Sequence, residues 1–188
     1  MTSAELAILS ILAERPYHGY EIEEFIEQRG LRDWTEIGFS SIYYLLRKLE
    51  QDGYIEKEFA KATRGPSRKV YNLTPAGQAA MQAAVGDFLS NPRPLYPPLH
   101  LSLANLNAIS PADALNSLTL YRDKLEERVE QLETQRHTNG AKNPNVDALY
   151  DHHIHLLRAE REWIEGFIER FAARLETVQV HVGGNAHN

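Results

Sequence analysis

The segment SSIYYLLRKLEQDG, residues 40–53, carries the pattern on which the interpretation of the fold rests. Four apolar side chains recur in it at the i, i+3, i+4 and i+7 positions of a helix: Ile42, Leu45, Leu46 and Leu49. Ser40 or Ser41 is suited to cap the helix N-terminus, and Gly53 is suited to end the helix. The pattern therefore predicts a helix that buries one stripe and presents aromatic and basic groups on its other faces.

The segments on either side of this helix predict two earlier helices and a later β-hairpin. Apolar spacing favours a helix over residues 4–13, and a second helix that opens at residues 18–20 and stops at Gly30. Residues 54–59 and 68–73 alternate as two strands of a hairpin with a long basic tip, and Thr74-Pro75 begins another helix. Three helices followed by a hairpin wing form a winged helix-turn-helix.

Composition limits the class of protein. The chain has 188 residues, of which 43% are hydrophobic and 24% charged, a balance typical of a folded protein with a core. The net charge of −6 argues against a protein that coats nucleic acid by bulk charge. The absence of cysteine excludes thiolate sites, and no secretory signal or apolar run of about 18 residues is present. We therefore expect a cytoplasmic protein.

Three ordered motifs resemble the PadR-like transcriptional regulators: HGYEI at residues 18–22, SIYYLLRKLEQDGYI at 41–55 and RKVYNLTPAG at 68–77. The resemblance spans residues 4–90, and the second half of the chain is similar to the helical dimerisation domain of the longer members. It implies a dimeric regulator, usually a repressor, in which Tyr43 and its helix neighbours meet operator DNA while the basic wing contacts the backbone or minor groove. An effector that weakens operator binding is likewise implied.

Local charge is consistent with this implied DNA contact. Residues 61–69 contain four basic side chains and no acidic one, although the chain as a whole is acidic. The candidate DNA-binding residues are Ser40, Ser41, Tyr43, Tyr44, Arg47, Lys48, Lys61, Arg64, Arg68, Lys69, His18 and Tyr20. Other roles remain open: the tyrosines as core residues, the wing cations as ordinary surface charge, and His18 as a helix cap.

The second half of the chain predicts a helical dimerisation domain. We divide the sequence into a DNA-binding domain (1–90), a proline-rich linker or short helix (91–110), a helical domain (111–180) and a flexible tail (181–188). Ser110-Pro111 is a helix start, and a heptad stripe in the last helix supplies the predicted dimer interface: Leu157, Ile164, Ile168, Phe171 and Leu175. Trp163 and Phe167 are candidates for an effector pocket, with core or dimer packing as the alternative.

Other functions find weaker support in the sequence. Asp151, His152 and His155 share helical faces, but a transition-metal site would need a further ligand, so we assign no metal and no cofactor. The sequence contains no nucleophile elbow, phosphate loop, dinucleotide fingerprint or His-Glu-x-x-His motif, and we expect no enzyme. The alternatives to a DNA-binding repressor are a winged-helix protein-interaction module and a helical sensor of a metal or small molecule.

Overall fold

The computed structural model describes residues 1–28, 35, 38, 41–60, 68–140 and 143–183. The chain divides into two compact units, Met1–Leu95 and Tyr96–Asn188. The architecture is mainly helical, with one small antiparallel sheet in the N-terminal unit. Among the described helices, none combines the length with the apolar character that crossing a lipid bilayer requires.

The N-terminal unit is a winged helix-turn-helix, as the pattern predicted. Its elements, in chain order, are α1 (Ser3–Leu12), β1 (Tyr17–His18), α2 (Gly19–Gln28), α3 (Ile42–Gln51), β2 (Ile55–Ala60), β3 (Arg68–Leu73) and α4 (Pro75–Ser90). The apolar faces of these elements meet in one core, whose fully buried members include Ile8, Leu9, Ile22, Ile26, Ile42, Leu46, Leu49 and Ile55. Burial of this many large aliphatic side chains fixes α3 on the body of the unit.

The sheet has three strands rather than the two of the predicted hairpin. Its order is β1-β3-β2, with both pairs antiparallel, and Tyr17 and His18 lie opposite Tyr71 and Val70. The extra strand is only two residues long, and it forms because Tyr17 is buried in the core while its backbone pairs with β3. The β2–β3 register runs from Ile55 opposite Leu73 to Ala60 opposite Arg68.

The two helix starts predicted at Thr74-Pro75 and Ser110-Pro111 are each capped by a hydroxyl. The Thr74 hydroxyl accepts the Gly77 amide proton at 3.0 Å, and the Ser110 hydroxyl accepts that of Asp113 at 3.1 Å. The prediction for Ser41 was wrong, because its backbone is already helical and its hydroxyl donates to the Gly38 carbonyl at 2.6 Å. The alternative cap, Ser40, lies outside the described residues.

The C-terminal unit consists of α5 (Pro98–Ala104), a single 3₁₀ turn (Leu106–Ala108), α6 (Pro111–Asn139) and α7 (Pro144–Gly183). Hydrogen bonds join Tyr121 to Glu160 at 2.9 Å and Asn139 to Tyr150 at 3.3 Å, so α6 and α7 run antiparallel. The helix α7 extends to Gly183, beyond the predicted end of the helical domain at residue 180, and residues 184–188 of the predicted tail lie outside the described residues.

Candidate nucleic-acid interface

The helix α3 separates a buried stripe from an exposed aromatic and basic face. Ile42, Leu45, Leu46 and Leu49 are buried, whereas Tyr43 is 51% exposed, Tyr44 is 63% exposed and Arg47 is exposed. The apolar contacts thus hold α3 in place without using these three side chains, and Ser41 lies half-buried at the start of the helix. A helix presented in this way has the size and the donor groups needed to enter a major groove.

Two of the candidate residues join the base of the wing to the start of α2. The Nδ1 atom of His18 lies 3.0 Å from the carbonyl oxygen of Lys69 in β3, and its ring stacks on Tyr20 with centroids 5.5 Å apart. The His18 amide donates to the Glu21 carboxylate at 2.7 Å. His18 therefore lies in the sheet and is fixed by α2. The side chain of Lys69, whose carbonyl oxygen contacts the His18 ring, is exposed on β3.

A close approach of Tyr43 to Gly19 connects α3 with α2. A Cβ atom at position 19 would lie 3.1 Å from Cε1 of Tyr43 and 3.6 Å from Cε2 of Tyr71. Glycine therefore gives the Tyr43 ring room to lie over the first turn of α2. Tyr43 is held by this contact while half of its surface stays accessible.

Within the wing, the structure describes the two strands but not residues 61–67 between them. Lys61 and Arg64 lie outside the described residues, and the side chain of Arg68 is also outside them, although its backbone belongs to β3. Phe59, opposite Lys69 in the register, is 61% exposed, so the outer end of the hairpin adds an aromatic surface to its cationic one.

Lys48 differs from the other candidates because its charge is already shared within the protein. Its Nζ atom donates to Oε1 of the buried Glu5 in α1 and lies 3.6 Å from Oδ2 of Asp52. The hydrogen bond to Glu5 raises the pKa of Lys48 above its ordinary value. Burial would raise the pKa of Glu5, but the hydrogen bonds from Lys48 and the Thr2 amide outweigh burial and lower it. Sequence reasoning missed Glu5, which lies 43 positions away.

The C-terminal unit places the predicted interface residues in two different environments. Ile164 is fully buried within one chain, so its role is to pack α7 inside the protomer, and its assignment as an intersubunit contact is corrected on this ground. Leu157, Ile168, Phe171 and Leu175 are half-buried. Trp163 is 46% exposed and stacks on Phe167, which stacks on Phe171, with centroid separations of 5.2 and 6.0 Å.

The candidate effector and metal residues do not form an enclosed site among the described residues. Trp163 borders an open depression of about 560 Å³ whose walls all come from α7. A more apolar cavity of about 440 Å³ lies between α5 and α6, against Leu99, Leu103, Leu118 and Tyr121. Asp151 is bonded to Arg136 at 2.8 Å, and no group of three metal-ligating side chains is present in the described part of the chain.

Comparisons with known proteins agree on one family. A family model for the transcriptional regulator PadR-like family matches residues 8–83. Transcriptional regulator Rv3488 of Mycobacterium tuberculosis is 32% identical over 79 residues, which are 42% of this chain and 69% of that protein.

Two structures of PadR from Bacillus subtilis have the same fold over most of their length. The complex with operator DNA gives a TM-score of 0.74 at 19% identity, covering 91% of this chain and 98% of that chain. The complex with p-coumaric acid gives a TM-score of 0.71 at 19% identity, covering 90% and 99%. The similarity to these structures extends through both units of the chain.

Proposed function

The chain belongs to the PadR-like family of transcriptional regulators, and from that premise we propose that it binds operator DNA as a homodimer and represses transcription. The observation that carries the proposal is the exposed face of α3, where Tyr43, Tyr44 and Arg47 stand above four buried apolar side chains. The operator complex of the similarly folded Bacillus subtilis PadR supports this assignment. The chain would act by binding, without catalysis, in the cytoplasm of a bacterial cell where operators lie.

Within this proposal the candidate residues take separate roles. Tyr44 and Arg47 would reach base edges or phosphates in the major groove, and Lys69 would contact the flanking backbone together with the wing cations. Tyr20 and His18 lie beside the base of the wing, where an aromatic surface and a ring nitrogen suit contact with sugar and phosphate. The net charge of −6 makes binding dependent on this local surface rather than on the whole chain.

Duplex binding at several salt concentrations tests the proposal. For Arg47→Gln we expect an affinity about ten-fold lower and a salt slope smaller by about one, because one phosphate-neutralising group is lost. Arg122→Gln is the matched control, since Arg122 lies on α6 and is paired with Asp123 at 2.7 Å. No duplex binding at low salt would favour the protein-interaction alternative.

We propose that the dimer forms through a second apolar stripe of α7. Leu149, Leu156 and Trp163 recur at seven-residue intervals and are 40%, 49% and 46% exposed. These positions repeat on one face of a helix, next to the face that packs against α6. The stripe therefore has the pattern of a helix surface that a second copy of α7 would cover, and the half-buried Phe167 and Phe171 extend it.

Sedimentation analysis of Trp163→Asp tests this interface. We expect a monomer with weakened duplex binding, because a charge in the stripe would be buried unpaired by the partner. Glu169→Gln, on the polar side of α7, is expected to stay dimeric. A Trp163→Asp protein that remains dimeric would contradict this interface. The alternative role of Trp163, in an effector pocket, would then stand.

We also propose that a small-molecule effector releases the operator. The p-coumaric acid complex of the similarly folded Bacillus subtilis PadR supports such a step. The apolar cavity between α5 and α6 has a volume, about 440 Å³, within the range of small-molecule sites. In a thermal-shift screen, a ligand that stabilises this protein should also weaken duplex binding, and Ser117→Phe at the cavity wall should remove both effects. A stabilising ligand that leaves DNA binding unchanged would contradict the proposal.

A further inference from the structure

We propose that Lys48 serves DNA binding as a positioning residue, which anchors α3 to α1 through Glu5 and does not itself contact DNA. The inference rests on the proposed function, because it concerns how the DNA-binding face of α3 is set. It changes the role of a residue that the sequence pattern groups with the DNA contacts. It also gives a function to Glu5, a carboxylate of α1 that is only 4% exposed.

The carboxylate of Glu5 lies in a buried environment. This residue is 4% exposed, and both of its carboxylate oxygens are engaged: Oε2 accepts the Thr2 amide proton at 2.8 Å and Oε1 accepts from Lys48. A carboxylate in such a place needs a cation beside it, since an unpaired buried charge is strongly unfavourable. Moving the Lys48 ammonium to a DNA phosphate would leave Glu5 without that partner.

Lys48 lies at one edge of the exposed face of α3. At about 100° per residue, positions 48 and 50 bound an arc of about 160° around α3, and the exposed Tyr43, Tyr44 and Arg47 fall within that arc. Glu50 is also held by an ion pair, because Nζ of Lys57 in β2 lies 2.7 Å from its Oε1 atom. The DNA-binding face is therefore bordered by an ion pair to α1 on one side and an ion pair to β2 on the other.

These two ion pairs would fix the rotation of α3 about its own axis. The apolar stripe alone permits small rotations, because aliphatic contacts are not directional. A hydrogen-bonded ion pair on each edge is directional, so that rotation in either sense stretches one of them. Side chains that read base edges need such precision, because specificity depends on the geometry of individual donors and acceptors.

A double-mutant cycle with Glu5→Gln and Lys48→Gln tests the inference. Glutamine at position 5 keeps the capping box with Thr2, since glutamate and glutamine both serve at that position, and removes only the charge. We expect each single variant to bind a duplex about ten-fold more weakly, the equivalent of one impaired base contact, with an unchanged salt slope. The double variant is expected to bind no more weakly than the weaker single variant, because both substitutions break the same unit.

Three further variants serve as controls for this cycle. Asp52→Asn removes a carboxylate 3.6 Å from the same lysine at the surface, and its effect should stay below about two-fold. Lys48→Arg preserves the pairing with Glu5 and should restore affinity, which guards against misfolding of the Lys48→Gln protein. Arg47→Gln reports a direct contact by lowering the salt slope by about one. Circular dichroism melts verify that each protein is folded at the temperature of the assay.

The results separate this inference from the proposed function. If Lys48→Gln lowers the salt slope by about one and its loss multiplies with that of Glu5→Gln, Lys48 contacts a phosphate and the inference is overturned. If the wild-type protein binds no duplex, the proposed function fails and the inference fails with it. The inference is supported by a third outcome, in which the wild-type protein binds a duplex and Arg47→Gln lowers the salt slope. In that outcome Glu5→Gln and Lys48→Gln leave the salt slope unchanged, and their losses of affinity do not multiply in the double variant, so Lys48 positions α3.

Discussion

Replacing Gly77 with alanine should weaken the packing of the base of the wing against α4. The Cβ atom would lie 2.0 Å from the carbonyl oxygen of Tyr54 and 2.8 Å from Cδ1 of Leu73. These two residues lie at the base of the hairpin: Tyr54 immediately precedes β2, and Leu73 ends β3. The backbone must move, because a carbonyl oxygen cannot turn away from the clash as the end of a flexible side chain can.

The magnitude follows from the hydrogen bonds around the Tyr54 carbonyl. That oxygen accepts the Thr74 amide proton at 3.1 Å, and the Thr74 hydroxyl, which donates to the neighbouring Gly53 carbonyl at 2.7 Å, accepts the Gly77 amide proton and so caps α4. Overpacking costs about 1–3 kcal/mol. A weakened cap and hydrogen bond add about 1 kcal/mol. We therefore expect Gly77→Ala to reduce the free energy of unfolding by about 2–4 kcal/mol.

Gly86 provides the matched control in the same helix. A Cβ atom there would meet nothing within 4 Å, so Gly86→Ala should gain about 0.5–1 kcal/mol from helix propensity alone. Urea denaturation of both variants, followed by circular dichroism, measures the two changes as shifts in midpoint at constant slope. Equal stability of Gly77→Ala and wild type would refute the reasoning about the close approach at Tyr54.

Three further predictions concern the antiparallel helices α6 and α7 and the face of α3 that we propose binds DNA. Hydrogen bonds from Arg136 lower the pKa of Asp147, so their stabilisation exists above the ordinary aspartate pKa and is lost as pH falls through the lowered value. The melting temperature of Arg136→Met should therefore lie below that of wild type at about pH 6, with the difference vanishing in strong acid; a difference independent of pH would contradict this pairing. Gly19→Ala would press on the Tyr43 ring at 3.1 Å, and we expect weaker duplex binding in a titration with at most about 1 kcal/mol of lost stability. Tyr44→Ala, at a position 63% exposed, should lower duplex affinity with a thermal melt unchanged, whereas a large loss of stability would assign Tyr44 to the core.

The helices were predictable because they depend on the local spacing of apolar residues. The positions Ile42, Leu45, Leu46 and Leu49 recur at helical intervals, and all four are buried. The caps at Thr74 and Ser110 were equally readable, since a hydroxyl before proline at the first turn is a local signal. The exposure of Tyr43 and Tyr44 followed from the stripe being complete without them.

The features that the sequence did not reveal depend on contacts between distant segments. The strand β1 has two residues, too few for an alternation to be recognised, and it exists through pairing with Tyr71 and Val70. Lys48 shares a helical face with other candidate DNA-binding residues, and only the fold brings the buried Glu5 beside it. Ile164 belongs to an apolar stripe, but periodicity does not say whether α6 or a second chain covers that stripe, and the structure places it against its own chain.

Selection of duplexes from a random pool by the wild-type chain tests the central claim most directly. We expect enrichment of one sequence with two half-sites related by two-fold symmetry, spaced by about one helical turn or a multiple of it, because two copies of α3 would each read one half-site. Arg47→Gln and Tyr44→Ala should each bind the enriched sequence more weakly than wild type does. A pool that remains unenriched after repeated rounds at low salt would contradict the account.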